Sequence, residues 1–190
     1  MLIDQMVDMK EWEIDNVNFK WKFLWQQVNS WLREYLINKT LKADEEYLNE
    51  IIAKISSIIE EYIYLFKIFF GDKVVGQYEE VMKKAVGLFI SLIDALSEDD
   101  TSRVNQIALE IYQGIEERSK YLFELNPYWV RSKLNEYIFY LTNMTIQQII
   151  TFMEKDYKNS IAIYDRILKY TMMIGDYLAQ GTKKYFNNII

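Results

Sequence analysis

The chain has 190 residues and contains neither cysteine nor histidine. Without cysteine, this chain offers no disulfide, no thiol nucleophile and no thiolate ligand for a metal. Without histidine, it also lacks the commonest general base and the commonest metal ligand. These two absences exclude Ser-His-Asp and Cys-His catalysis, histidine-bound zinc, and the Glu-x-x-His pattern of di-iron bundles.

Residues that interrupt secondary structure are also scarce, with one proline and six glycines. This favours long helices over a sheet with many turns. No apolar run approaches the roughly 18 to 20 residues of a membrane span, because charged residues break the most hydrophobic stretch, near 51–70. The first residues have mixed charge and no apolar segment typical of a signal peptide. We therefore expect a cytoplasmic, all-α protein without a membrane span.

Basic residues are outnumbered, and the net charge is −6. Binding to nucleic acid depends on clustered cations, so this balance argues against a nucleic-acid partner. We interpret the pairs Lys83-Lys84 and Lys183-Lys184 as solvated helix faces. Hydrophobic residues make up 51% of the chain, enough to build a core. Fifteen tyrosines and five tryptophans at helical spacing indicate core packing more than a binding site.

A weak internal repeat is present. The Tyr-Leu-Phe sequence at 64–66 recurs 57 residues later at 121–123, and Tyr-Leu returns after a further 56 residues at 177–178. A repeat of this length fits one helical hairpin, which cannot bury its apolar face alone. The sequence therefore predicts one bundle domain made of a tail or short helix at 1–15 followed by hairpins at 16–71, 72–126 and 127–190.

Apolar residues step by three and four along most of the chain, as on one face of a helix. The second helix, for example, carries the stripe Leu48, Ile51, Ile55, Ile58, Tyr62, Leu65 and Phe69. The sequence predicts six helices, over about 16–39, 45–70, 73–97, 102–125, 127–154 and 156–186.

Four of the expected helix ends have recognisable capping residues. Asp44 is a good N-cap for the second helix, Gly71 suits the left-handed position at its end, and Asp72 is placed to cap the third. Asn126-Pro127 predicts the start of the fifth helix, with Asn as N-cap and Pro in the first turn.

Under the repeat register, Val28, Ala85 and Leu141 occupy equivalent inner positions of helices one, three and five. The third unit departs most from the apolar rule, with Thr145, Gln148 and Asp165 where the other units carry apolar residues. A function added to a scaffold is expected at such departures.

Arg118 also interrupts the stripe of helix four and offers a cation to Asp165. Two interpretations stay open. Arg118, Gln148 and Asp165 form a structural polar cluster, or they line a ligand pocket between helices four, five and six. In the second interpretation, Trp31 helps to wall the pocket.

The assembled motifs resemble an uncharacterised family of small bacterial all-helical proteins. The resemblance covers about residues 24–186, and the turn Asn126-Pro127-Tyr128-Trp129 is its most specific part. The other motifs are Leu24-Trp25, Phe70-Gly71-Asp72, Asp156-Tyr157, Tyr164-Asp165, Asp176, Gly181 and Phe186. Some members carry an acetylglutamate kinase label, but this chain has no α/β pattern and no nucleotide-binding loop.

The resemblance also has implications for site residues. Family members often carry a histidine on each odd helix, at positions that correspond here to Val28, Ala85 and Leu141. Because all three are aliphatic in this chain, the resemblance implies no metal bound in that way. Trp31, Arg33, Thr145 and Asp165 fit the family pattern and are carried over as candidate ligand-binding residues, without a known role.

Two function hypotheses follow. The first is a non-catalytic bundle that binds a protein partner or forms a homodimer through a surface rich in Tyr, Trp and Met. The alternative is a bundle that binds an unknown small ligand or metal ion at Arg118, Gln148, Asp165, Thr145, Trp31 and Arg33. No catalytic residue and no cofactor is predicted.

Overall fold

The computed structural model describes the backbone of residues 2–187 and the side chains of residues 16–72 and 76–187. Within residues 2–187 it is entirely helical, without a strand, as the sequence predicts. None of its helices, over the part that the structure describes, has an apolar stretch suited to crossing a bilayer. The helices are α1 (Leu2–Thr40), α2 (Glu45–Phe70), α3 (Asp72–Ser97), α4 (Thr101–Leu125), α5 (Arg131–Met153) and α6 (Tyr157–Asn187).

The six helices form a closed ring in chain order. Each helix packs against the next, and α6 packs against α1 to complete the ring. The odd-numbered helices α1, α3 and α5 also contact one another. The hydroxyl of Tyr35 on α1, for example, donates to Asp94 on α3 at 2.7 Å, and the ammonium of Lys39 lies 3.2 Å from the same carboxylate. The odd helices therefore meet at the centre of the bundle.

The packing of α2 follows directly from its sequence. All seven residues of its predicted stripe, from Leu48 to Phe69, are buried. Burying one such side chain contributes about 1.5–3 kcal/mol, so this stripe fixes which face of α2 turns inward. The N-cap is also confirmed, because Asp44 accepts a hydrogen bond from the backbone N–H of Tyr47 at 2.8 Å.

The first helix begins at Leu2, not near residue 16 as expected. The segment 2–15, expected as a tail or a separate short helix, is continuous with the rest of α1. It contains neither proline nor glycine, so nothing in it ends the helix, although its weak apolar periodicity hid this. Met1 lies outside the described residues.

The turn between α2 and α3 is tighter than expected. Gly71 has φ of +82°, a positive value as predicted, although its ψ of 161° lies outside the left-handed helical region. The prediction that Asp72 caps α3 was wrong, because Asp72 is already the first residue of that helix and Gly71 is its N-cap residue. One residue therefore ends α2 and precedes α3.

The prediction for the start of α5 was also wrong. The helix begins at Arg131, and Asn126 instead ends α4, with its backbone N–H donating to Leu122 O at 3.2 Å. The Asn126 side-chain oxygen accepts from the Tyr128 N–H at 2.9 Å, which makes a turn through Pro127. This turn places Trp129 in the core before the helix starts.

Trp129 joins this turn to three other helices. Its side chain is fully buried, and its indole N–H donates to Leu178 O on α6 at 3.1 Å. Its ring packs edge-on against Trp21 of α1 and Phe66 of α2. The ring lies so close to Gly181 that a Cβ at that position would overlap it. The turn that is most specific in the family resemblance is therefore a packing element.

A second glycine lets α6 approach α1 closely. A Cβ added to Gly175 would lie 2.7 Å from the backbone N and Cα of Lys22. The Lys22 side chain then forms an ion pair with Asp176 at 2.6 Å. Contact between the first and last helices thus depends on a residue without a side chain.

Candidate functional site: a central cavity beside Arg118

A partly open cavity lies in the bundle where the odd helices meet. It leaves about 60 Å³ for the centre of a water-sized sphere. This exceeds the roughly 10–15 Å³ that a single water requires, so the cavity is large enough for water or for a small ligand. Its walls come from α1, α2, α3, α4 and α5, through Leu24, Trp25, Val28, Asn29, Leu32, Ile59, Tyr62, Met82, Ala85, Val86, Phe89, Arg118, Ile138, Leu141, Thr142 and Thr145.

Val28, Ala85 and Leu141, one from each odd helix, all line this cavity. The sequence had assigned them equivalent inner positions. The neighbouring wall is formed by bulky residues such as Leu24 and Phe89, whereas Ala85 is small. A short side chain at this position on α3 leaves space that a larger residue would fill.

Arg118 is the one cationic side chain among the residues that line the cavity. Its Nε donates to the carbonyl oxygen of Gly114, one turn earlier on α4, at 3.1 Å. Among the side chains that the structure describes, no carboxylate forms an ion pair with Arg118, although the charge of Glu117 acts on it. Arg118 is partly exposed, and its terminal amino groups are not among the buried polar atoms that lack a hydrogen-bond partner. Burial lowers the pKa of its guanidinium.

Tyr78, Tyr62 and the carboxylate of Glu117 lie close enough to Arg118 to act on its charge. The hydroxyls of Tyr62 and Tyr78 lie 3.4 Å apart in the core. Burial raises the pKa of Tyr62 well above its usual value and also raises the pKa of Tyr78. Both phenols are therefore protonated at neutral pH and act only as dipoles. The guanidinium remains charged, because an arginine stays protonated in proteins.

The rest of the polar wall offers more donors than acceptors. The buried indole N–H of Trp25 approaches the Tyr62 hydroxyl but completes no hydrogen bond within the described residues. The amide nitrogen of Asn29 donates to Trp25 O at 2.8 Å, and the Thr145 hydroxyl donates to Leu141 O at 2.9 Å. Trp25 is thus left with a buried N–H group that lacks an acceptor among the described residues, and such groups are rare in a protein interior.

A smaller surface pocket adjoins the central cavity. It leaves about 20 Å³ between α3 and α4 and shares two lining residues, Ala85 and Arg118, with the cavity. Its outer rim includes Lys84, Glu110 and Glu117. The Arg118 side chain therefore lies between the interior of the bundle and the groove between these two helices.

The structure does not bring the expected site residues together. Of the six candidates, Arg118 and Thr145 line the central cavity, and the other four do not. Asp165 is exposed on α6. Burial lowers the pKa of Arg33 and the charge of Asp165 opposes that shift, whereas Asp165 is not among the groups that act on Arg118. The cavity is formed mainly by α1, α3 and α5 and has no lining residue from α6.

Gln148 lies elsewhere, at the end of α5. It is buried, and its backbone carbonyl accepts from the Ser160 hydroxyl of α6 at 3.3 Å. Its side-chain Nε2 is buried and has no hydrogen-bond partner within the part of the chain that the structure describes. Gln148 therefore belongs to the contact between α5 and α6, away from Arg118.

Arg33 and Trp31 take part in packing between helices. The guanidinium carbon of Arg33 lies 4.5 Å from the centre of the Tyr164 ring, a cation–π contact between α1 and α6. The Tyr164 hydroxyl donates to Ser30 Oγ at 2.9 Å, which fixes the ring. Trp31 is partly buried and packs against the core. Neither residue lines the central cavity.

Sequence reasoning missed Trp25, Asn29 and Thr142, which line the cavity. The usable signal was the repeat register: these residues lie within one turn of Val28 or next to Leu141, the positions predicted to face inward. Nothing in the spacing of a single helix indicates that such a position borders a void.

Carboxylates do not gather into a metal site in the described part of the chain. Within it, no group of three His, Cys, Asp or Glu side chains comes close enough to hold a metal ion. The polar side chains that line the central cavity are those of Trp25, Asn29, Tyr62, Arg118, Thr142 and Thr145.

Comparison with known proteins adds no relative. No family model matches the chain, and neither the curated proteins nor the solved structures include a match to it. The resemblance built on the Asn126-Pro127-Tyr128-Trp129 turn therefore stays a prediction.

Proposed function

We propose that this protein is a non-catalytic binding bundle that holds a small organic ligand in its central cavity. The observation that carries the proposal is Arg118, the one cationic side chain among the residues that line the cavity, with no ion-pair partner among the described residues. A cation at the edge of a largely apolar cavity suits a ligand with a polar or anionic group, because charge-assisted hydrogen bonds are stronger than neutral ones. Perturbed charged groups in cavities are typical of binding sites.

The proposal includes the architecture predicted from the repeat: three hairpins, at 16–71, 72–126 and 127–190, arranged around the cavity. Two features support it. The odd helices contact one another, and the equivalent residues Val28, Ala85 and Leu141 all line one space. An experimental structure tests this directly. The three hairpins should superpose at offsets of 57 and 56 residues through rotations near 120°, and unrelated rotations would contradict the repeat.

Ligand binding is tested first by native mass spectrometry of freshly purified protein, before and after mild denaturation. A non-covalent adduct that disappears on denaturation is the expected result. The variant Ala85→Met fills the cavity and should abolish the adduct. The matched control is Ala53→Met, because Ala53 lies on the exposed face of α2. An adduct that persists in Ala85→Met would place the ligand elsewhere.

A second candidate function, self-association, is favoured by one specific surface. Phe19 and Phe23 are exposed to 63% and 41% on α1, and their rings stack at 5.3 Å. They border a groove of about 500 Å³ that also contains Tyr64 of α2, with Lys20 and Glu60 on its walls. Exposed aromatic residues are enriched at interfaces, and charges of both signs suit a two-fold contact between identical surfaces.

Sedimentation velocity over a range of concentrations tests self-association. A dimer that is weakened by Phe19→Ser with Phe23→Ser supports this second function. The matched control is Tyr140→Ser, since Tyr140 is exposed to 52% on α5, away from the groove. A monomer at all concentrations, or a dimer unaffected by the double variant, would eliminate it. Neither result bears on the cavity, because a dimer can also bind a ligand.

A further inference from the structure

We infer that the ligand of the central cavity is a short-chain aliphatic monocarboxylate, whose carboxylate pairs with Arg118 while its alkyl chain fills the apolar part of the cavity. This inference rests on the proposed function, because it assigns a chemical class to the same site. Three properties of the cavity support it: its charge, the orientation of the guanidinium and its size.

The charge of the site calls for a single negative charge. Arg118 supplies one positive charge, and no carboxylate is among the residues that line the cavity, although Glu117 acts on Arg118 from the side of the neighbouring pocket. The indole N–H of Trp25 is a further donor without an acceptor. A monoanion restores neutrality and accepts these N–H bonds. A dianion such as phosphate would leave a net negative charge among apolar walls, which is costly.

The orientation of Arg118 favours a carboxylate among monoanions. Its Nε is already used by Gly114 O, so the side-on edge of the guanidinium is occupied. The two terminal amino groups remain, and together they present a planar fork. A carboxylate matches this fork with two parallel N–H···O bonds, which a halide or an alcohol does not.

The size of the cavity limits the alkyl chain. A space of about 60 Å³ for the centre of a water-sized sphere suits a small ligand. The walls away from Arg118 are apolar and include Leu32, Val86 and Phe89. A chain of about four carbons would fit against them, whereas a long-chain fatty acid would exceed the available space. Butyrate is therefore the natural probe, and butyramide has the same shape without the charge.

The experiment titrates the wild-type protein with butyrate and, separately, with butyramide at equal ionic strength. Binding is measured by isothermal titration calorimetry and by NMR. We expect butyrate to bind on the order of tenfold or more tightly than butyramide, the usual effect of a hydrogen bond to a charged group. Arg118→Met should remove this preference, and Ala85→Met should prevent binding of both compounds. The control Arg166→Met changes the same charge at an exposed position of α6 and should leave both affinities unchanged.

The outcomes separate this inference from the proposed function. Equal affinities for butyrate and butyramide, with both lost in Ala85→Met, would keep the cavity as a ligand site and overturn the carboxylate assignment. No binding of either compound, together with an adduct of a neutral or cationic molecule in native mass spectrometry, would have the same meaning. No binding and no adduct would overturn both. The comparison on the wild-type protein needs no variant, so a failure of Arg118→Met to fold leaves the test intact.

Discussion

Arg118→Met should stabilise the ligand-free protein, although it removes a side chain from the interior. Methionine keeps an unbranched apolar stem of similar reach, so most of the packing of the arginine stem is retained. The loss of the bond from Nε to Gly114 O costs about 0.5–1.5 kcal/mol. Removal of a partly buried charge that has no ion-pair partner among the described residues contributes several kcal/mol in the opposite direction before solvent screening is considered.

Because Arg118 is only partly buried, solvent screening reduces this gain. We therefore expect a net increase of about 1 kcal/mol in the free energy of unfolding. For a chain of this length, that corresponds to a rise of about 2–4 °C in Tm. A binding site that is less stable when empty is the usual trade-off between stability and function.

The assay is urea denaturation followed by circular dichroism at 222 nm, with the slope of the transition checked for equality between variants. The control Arg166→Met should change the free energy of unfolding by no more than about 0.5 kcal/mol, since Arg166 is exposed. A loss of stability of about 1 kcal/mol or more in Arg118→Met would refute the reasoning. It would mean that the guanidinium is satisfied in the native state and has a structural role.

Three further predictions concern packing, capping and pH. Gly181→Ala should destabilise the protein by about 1–3 kcal/mol in the same urea assay, because the new Cβ would overlap the Trp129 ring. Its control, Gly87→Ala, lies in α3 with open space around it and should stabilise by about 0.5–1 kcal/mol; equal effects of the two would argue against the overlap. Asp44→Ala should lower the free energy of unfolding by about 1 kcal/mol because the N-cap is lost, while Asp44→Asn should retain most of that stability. A smaller loss of stability in Asp44→Ala than in Asp44→Asn would contradict the capping role. Stability should fall as the pH rises above about 10, because the unfolded chain then loses phenol protons that buried Tyr62, with its raised pKa, retains. Tyr62→Phe should make this fall shallower in urea titrations between pH 8 and 11, and an unchanged slope would contradict the assignment.

Helix stripes and several helix ends could be predicted because they depend on local chemistry. The buried face of α2 follows from residues three and four apart, and the N-cap of Asp44 depends on a bond to a residue three positions away. The start of α5 could not be predicted in this way. Asn126 and Pro127 suit a helix start by local preference, but burial of Trp129 against α1, α2 and α6 favours a turn instead.

The candidate site shows the same limit. The sequence indicated that Arg118 interrupts an apolar stripe, and the structure places it beside the cavity. Asp165 was proposed as the ion-pair partner of Arg118 because both are polar residues at positions that are otherwise apolar. The spacing of residues within one helix predicts the face on which each residue lies, but it does not predict which other helix packs against that face. Asp165 therefore acts on Arg33, across the contact between α1 and α6.

The contact between α1 and α6 also has a consequence for how the chain folds during synthesis. Most neighbouring helices in the ring are consecutive, so each can pack as soon as it leaves the ribosome. The exception is the seam formed by Lys22 with Gly175 and Asp176, which joins residues about 150 positions apart. Trp129 likewise has no acceptor for its indole N–H until Leu178 is made. The emerging chain must therefore keep one side of α1 and the Trp129 indole uncovered until α6 is made. Synthesis of α6 is thus decisive for escape from aggregation and proteolysis.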